Sequence, residues 1–168
     1  MKMLLRRIRE SAWGRLMSGA AVIDLNAPEQ SGAEHTASVA GLRVLFIDDN
    51  ESTRELLAGT LRHYGAEVTV ATSAHAALEV LDRTQPQVVI TNCIIDPEDA
   101  FVLIRKVRAM EAERRRRIPT VAVTAYLGAK NMLGHLTAGF QVHVHTLPEP
   151  RDLVSIVGRL AAAGSLSR

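Results

Sequence analysis

Five times between Gly41 and the C-terminus, a short apolar run gives way to a stretch whose apolar residues recur at helical spacing, and that alternation leaves few folds open. The runs are RVLFI (43–47), AEVTVA (66–71), QVVITN (87–92), TVAVTA (120–125) and VHVH (142–145). STRELLAGTLRHYG (52–65) follows the first and sets Leu57, Leu61 and Tyr64 at helical spacing before a glycine stop. SAHAALEVLDRT (73–84) offers Ser73 as an N-cap, and DAFVLIRKVRAME (99–111) turns Phe101, Ile104 and Val107 inward. AKNMLGHLTAG (129–139) precedes the last run, after which PRDLVSIVGRLAAA (150–163) carries Leu153, Ile156, Val157 and Leu160 on one stripe, with Pro150 suited to a first helical turn. Strands this apolar on both faces need cover on both sides. The expected fold is therefore α/β, a five-stranded parallel sheet wound doubly with helices.

The first forty residues read differently. MKMLLRRIRESAWGRLM places Leu4, Ile8 and Ala12 on one helical stripe beside Lys2, Arg6, Arg9 and Arg15, a basic amphipathic pattern for residues 1–25. Arginines at 6, 7 and 9 break the apolar run a signal peptide would need, and no stretch approaches the roughly 20 apolar residues of a membrane span. NAPEQSGAEHTASVAG (26–41) has almost no large apolar side chain and reads as a flexible linker. Residues 42–163 then form the domain and 164–168 a tail, with no room for an output domain after the last helix. A net charge of +2 from 20 basic and 18 acidic residues argues against nucleic acid as a partner. One cysteine, Cys93, excludes an internal disulfide and a cysteine-cluster zinc site, which suits the cytoplasm.

In open parallel sheets the site lies at the carboxyl ends of the strands, where strand order reverses. Here the first run ends in Asp48 and Asp49, the third in Asn92, the fourth in Thr124 and the fifth in HVHTLPEP. No GxGxxG or GxxxxGK[ST] loop follows the first strand, so dinucleotide and P-loop nucleotide sites are excluded as readings.

VLFIDDN, AVTA and LTAGF, in that order, resemble the receiver domain of bacterial response regulators, most of all the receivers attached to hybrid sensor histidine kinases. The resemblance covers residues 42–163 and implies a flavodoxin-like (βα)5 fold. It places Asp48, Asp49 and Ile94 at the family's magnesium site, Thr124 at its switch hydroxyl and His143 at its switch aromatic. It also implies a non-enzymatic part in phosphorelay signalling. The partner would be a histidine kinase or a response regulator, met through the fourth helix, fifth strand and fifth helix, and a homodimer is compatible with that face.

Such domains take a phosphoryl group onto an aspartate at the end of the third strand, and here that position is Asn92. The attack on phosphorus needs an anionic oxygen, and a carboxamide oxygen is neutral. The lysine expected before proline in the fifth-strand motif is replaced by Thr146 and Leu147, and the acceptor loop reads Ile95, Asp96, Pro97, Glu98, Asp99, Ala100. The expectation is a receiver that has lost phosphoryl transfer and serves as a phosphorylation-independent interaction module, with magnesium bound weakly at most. Two alternatives stay open: transfer to a displaced acceptor, Asp96, and a small flavodoxin-like ligand-binding domain. His143 and His145 share a strand face without a third ligand, so no metal is assigned to them. Cys93 reads as a small buried hydrophobe, and Arg114 to Arg117 as a solvated loop.

Overall fold

The computed structural model describes residues 21–23, 38–91, 97–123, 140, 142–144 and 148–165. The strands are β1 (Ala21–Ile23), β2 (Arg43–Ile47), β3 (Glu67–Ala71), β4 (Val88–Thr91), β5 (Thr120–Val123) and β6 (Val142–Val144). The described helices are α1 (Glu51–His63), α2 (Ala74–Thr84), α3 (Pro97–Arg114) and α4 (Pro150–Ser165). All pairings are parallel and the sheet runs β1-β6-β5-β4-β2-β3. The doubly wound class stands, but among the described residues the sheet has six strands where five were expected. The sixth is β1, a three-residue piece of residues 1–25, which were read as a basic amphipathic segment. A three-residue apolar run has no measurable period, so only its partner, β6, makes it a strand.

Alternate residues of β2 face opposite sides of the sheet, and each side has its own core. Val44 and Phe46 pack with Leu57 and Leu61 of α1 and Leu153, Ile156, Val157 and Leu160 of α4. Leu45 and Ile47 pack with Ala77 and Leu81 of α2 and Leu103, Ile104, Val107 and Met110 of α3. The continuous apolar reading of RVLFI thus has its cause in two separate cores, one on each face.

One inward assignment, that of Phe101, is corrected, and Tyr64, at helical spacing with Leu57 and Leu61, does not join their buried face. Tyr64 is 43% exposed because it is the C-cap of α1 and no longer follows the helix stripe. Phe101 is 49% exposed: the buried face of α3 centres on Ala100, Leu103, Ile104 and Val107, and Phe101 lies roughly a third of a turn away from it. The domain also begins earlier than composition indicates. Val39, inside the stretch read as linker, is 1% exposed and belongs to the α1/α4 core. It is held there by a turn in which Leu42 N–H donates to the Val39 carbonyl at 3.0 Å and Gly41 N–H to the Gly65 carbonyl at 2.8 Å. Gly65 is left-handed at φ 91°, and a Cβ on it would stand 3.3 Å from Ala40, so the turn needs glycine.

The caps follow the sequence where it offers them. Ser73 Oγ accepts from Ala76 N–H at 3.1 Å and starts α2. The arginine run closes α3. Arg108 pairs with Glu111 at 2.5 Å, and Glu111 Oε1 accepts from Ile118 N–H at 2.6 Å. Arg108 Nη2 also donates to Thr120 Oγ1 at 2.9 Å. This half-buried pair fastens the connection onto the start of β5, leaving Arg115 and Arg117 exposed.

Candidate functional site

The order of strands reverses between β2 and β4, whose last residues, Ile47 and Thr91, are partners in register. The residues that follow both strands therefore leave from one end of the sheet, beside the switch point where ligands of such sheets bind. That rule was framed in part on receivers and is no independent support for the resemblance.

After β2 come Asp48 and Asp49, and they differ sharply in environment. Asp48 is 0% exposed, whereas Asp49 faces solvent. Both carboxylate oxygens of Asp48 are engaged by the start of α1. Oδ1 accepts from Asn50 N–H at 2.9 Å, and Oδ2 accepts from the Thr53 hydroxyl at 2.7 Å. Asn50 is itself the N-cap of α1, its Oδ1 accepting from Thr53 N–H at 3.1 Å, and Arg54 Nη1 donates to the Asp48 carbonyl at 3.0 Å. A buried carboxylate needs such donors, because an unpartnered one would carry its full desolvation penalty. Asp48 thus joins strand to helix, and Asp49 is the carboxylate open to a ligand.

Sequence reasoning named both acids but missed Asn50 and Thr53. For Asn50 the signal was present: an asparagine directly before a helical run is a preferred N-cap, and α1 begins at Glu51 accordingly. Replacing the hydroxyl by a methyl of similar size isolates its contribution. Thr53→Val is expected to lower unfolding free energy by about 1–3 kcal/mol, through loss of one donor to a buried carboxylate. Urea denaturation with an unchanged m-value is the check.

The remaining expected site residues, Asn92, Ile94, Thr124 and Thr146, lie outside the described residues, as do Asp96, Cys93 and His145. His143 is placed in β6, between Ala122 of β5 and Val22 of β1, with its side chain outside the description. Among the described residues no cluster of three or more His, Cys, Asp and Glu side chains is arranged to hold a metal. The donor chemistry nevertheless fits magnesium in part. Two carboxylates stand at the strand end, one of them already hydrogen-bonded through both oxygens, and the third anionic oxygen expected of the family is an amide in Asn92. Hard cations prefer anionic oxygen, so this set suits weak binding.

This architecture, with paired acids at the switch point of a doubly wound sheet, is that of a receiver. The chain matches the family of the response regulator receiver domain over residues 44–157 and belongs to it. It is 32% identical to an uncharacterized 14.6 kDa protein of Leptolyngbya boryana, over 75% of this chain and 95% of that one. It is 26% identical to the transcriptional regulatory protein TrcR of Mycobacterium tuberculosis, over 75% of this chain but only 46% of TrcR. Among solved structures, a CheY-like receiver domain protein of Methanospirillum hungatei superposes with a TM-score of 0.64 at 19% identity, covering 75% of this chain and 98% of that one, a likeness of fold alone. No described helix is long and apolar enough to cross a membrane.

Proposed function

We propose that this two-component receiver no longer accepts phosphate and acts in bacterial signalling as a phosphorylation-independent, non-enzymatic protein-interaction module in the cytoplasm. The observation that carries the reading is Asn92, next in the chain after the last residue of β4, where the family's chemistry needs a carboxylate. Two further features support it. Thr146 stands where a lysine would offset phosphoryl charge, and the buried Asp48 is engaged as a tie between β2 and α1. The partner is a histidine kinase or another response regulator, met through a face that includes β6 and α4.

A displaced acceptor at Asp96 is the second reading, favoured by the retained acid pair. It is the weaker one, because in-line transfer tolerates little misplacement and Asp96 stands four residues beyond Asn92 in the chain. Incubation with acetyl phosphate and magnesium is expected to give no mass increase of one phosphoryl group. A stoichiometric adduct that vanishes in Asp96→Ala would sink the proposal and establish the displaced acceptor.

A further inference from the structure

The described helices run back against parallel strands, so strand beginnings and helix ends gather at one end of the sheet, and strand ends and helix beginnings at the other. Charge is sorted along that axis. Asp48 and Asp49 share their end with Glu51 of α1, Glu98 and Asp99 of α3 and Asp152 of α4. The opposite end carries Arg43 at the start of β2, Arg62 and Arg83 in the last turns of α1 and α2, and Arg114 to Arg117 where α3 closes.

A single charge of suitable sign at each helix end complements the helix dipole and needs no further role. The run after α3 exceeds that. Arg115 stands at φ 50°, the left-handed position where glycine usually ends a helix, and Arg116 N–H donates back to the Glu111 carbonyl at 3.3 Å, which folds the run against the helix end. Glu111 is committed to Arg108 and Asp82 to Lys106, leaving Glu67 and Glu113 as the acids among the described residues of that end. The side chains of Arg83, Arg115 and Arg117 are exposed and make no hydrogen bond or ion pair among the described residues. Tyr64, two residues beyond Arg62, adds a ring that is 43% exposed. A second basic element meets the same end. Because β1 is parallel to β6, the chain before Ala21 enters it from the arginine side, and residues 1–20 hold five cations against one acid, Glu10, interleaved with Leu4, Leu5, Ile8, Trp13 and Leu16.

We propose that this end is a docking surface for anionic phospholipid: the arginines lie on the headgroups, the N-terminal segment adds apolar side chains at the headgroup boundary, and the acid site is held facing away from the bilayer. A lipid surface is the occupant for two reasons. The arginines come from both faces of the sheet, from α1 on one and from α2 and α3 on the other, so they populate a broad end that matches a plane better than a groove. The N-terminal cations are interleaved with large apolar side chains, which gain from insertion at a headgroup boundary and gain nothing from a phosphate backbone. The inference goes beyond the proposed function, since neither β6 nor α4 supplies these arginines. Failure of the phosphorylation test would leave it standing, and failure of the test below would leave the loss of phosphoryl transfer standing.

The experiment mixes the full chain with phosphatidylcholine vesicles that contain or lack phosphatidylglycerol, and follows cosedimentation and the emission of Trp13, the chain's only tryptophan. Binding to the anionic vesicles alone, a blue shift of that emission and release at about 1 M salt are the expected results. Arg83→Ser, Arg115→Ser and Arg117→Ser together are expected to weaken binding about a hundredfold, at roughly fivefold per basic residue, while urea denaturation confirms that the fold is retained. Leu4→Ser with Ile8→Ser is expected to abolish the blue shift and leave a weaker, salt-sensitive association. A blue shift that survives this change would overturn the apolar insertion. No binding to anionic vesicles, equal binding to neutral ones, or a triple variant that binds as well as the unaltered chain would overturn the docking surface. So would duplex DNA that binds more tightly than the anionic vesicles do, the result expected of a nucleic-acid surface.

Discussion

Asn92→Asp alone is expected to tighten magnesium binding by on the order of tenfold or more and to leave the contact face unmoved, because it restores one anionic ligand and nothing else. A phosphoryl group on Asp at position 92 would bring close to two negative charges towards Asp48 and Asp49, with only the metal to offset them. The double change, Asn92→Asp with Thr146→Lys, supplies the missing cation after β6. It is expected to couple phosphorylation to Thr124 and His143, the two switch positions. Amide shifts across β6 and α4 after adding beryllofluoride and magnesium distinguish the two proteins. If the single variant moves those amides as fully as the double one, the receiver lacks only its nucleophile, and a fixed interaction surface is the wrong description.

Phe46→Ala is expected to cost about 3–5 kcal/mol of stability, a large share of the roughly 5–15 kcal/mol available to a domain of this size. Phe46 is 0% exposed at the centre of β2, packed between the sheet and the helices α1 and α4, and truncation leaves a cavity that three elements must close. Phe101→Ala, the same chemical change on α3, is expected to shift stability by no more than about 0.5 kcal/mol, since the ring is half exposed. Urea denaturation of the two variants side by side is the measurement. A loss at Phe101 comparable with that at Phe46 would mean that α3 presents a different face to the core.

Much of the architecture was legible because the signals are local. The apolar runs named five strands, and all five occur; Ser73, Pro150 and the Leu153, Ile156, Val157, Leu160 stripe each perform locally as their chemistry requires. The paired acids were legible too, because the end of the first strand of a doubly wound sheet is a position that can be counted along the chain. Asn92, the absent lysine at Thr146 and the altered acceptor loop are likewise facts of sequence, because the chemistry of a side chain is set by its identity alone.

Other features depend on what lies across the fold. Spacing put Phe101 inward, but the burial of a helix residue depends on which stripe meets the sheet, and α3 meets it through Ala100, Leu103 and Ile104. Val39 looks like linker because its neighbours are small and polar, yet a turn tied to Gly65 turns it into the core. The two acids are identical in sequence, and only the approach of α1 separates them: the Thr53 hydroxyl and the Asn50 amide take up Asp48 and leave Asp49 to solvent. The sixth strand is the clearest case, since Ala21–Ile23 has no period or cap of its own and acquires a conformation from the hydrogen bonds that the edge of β6 offers it.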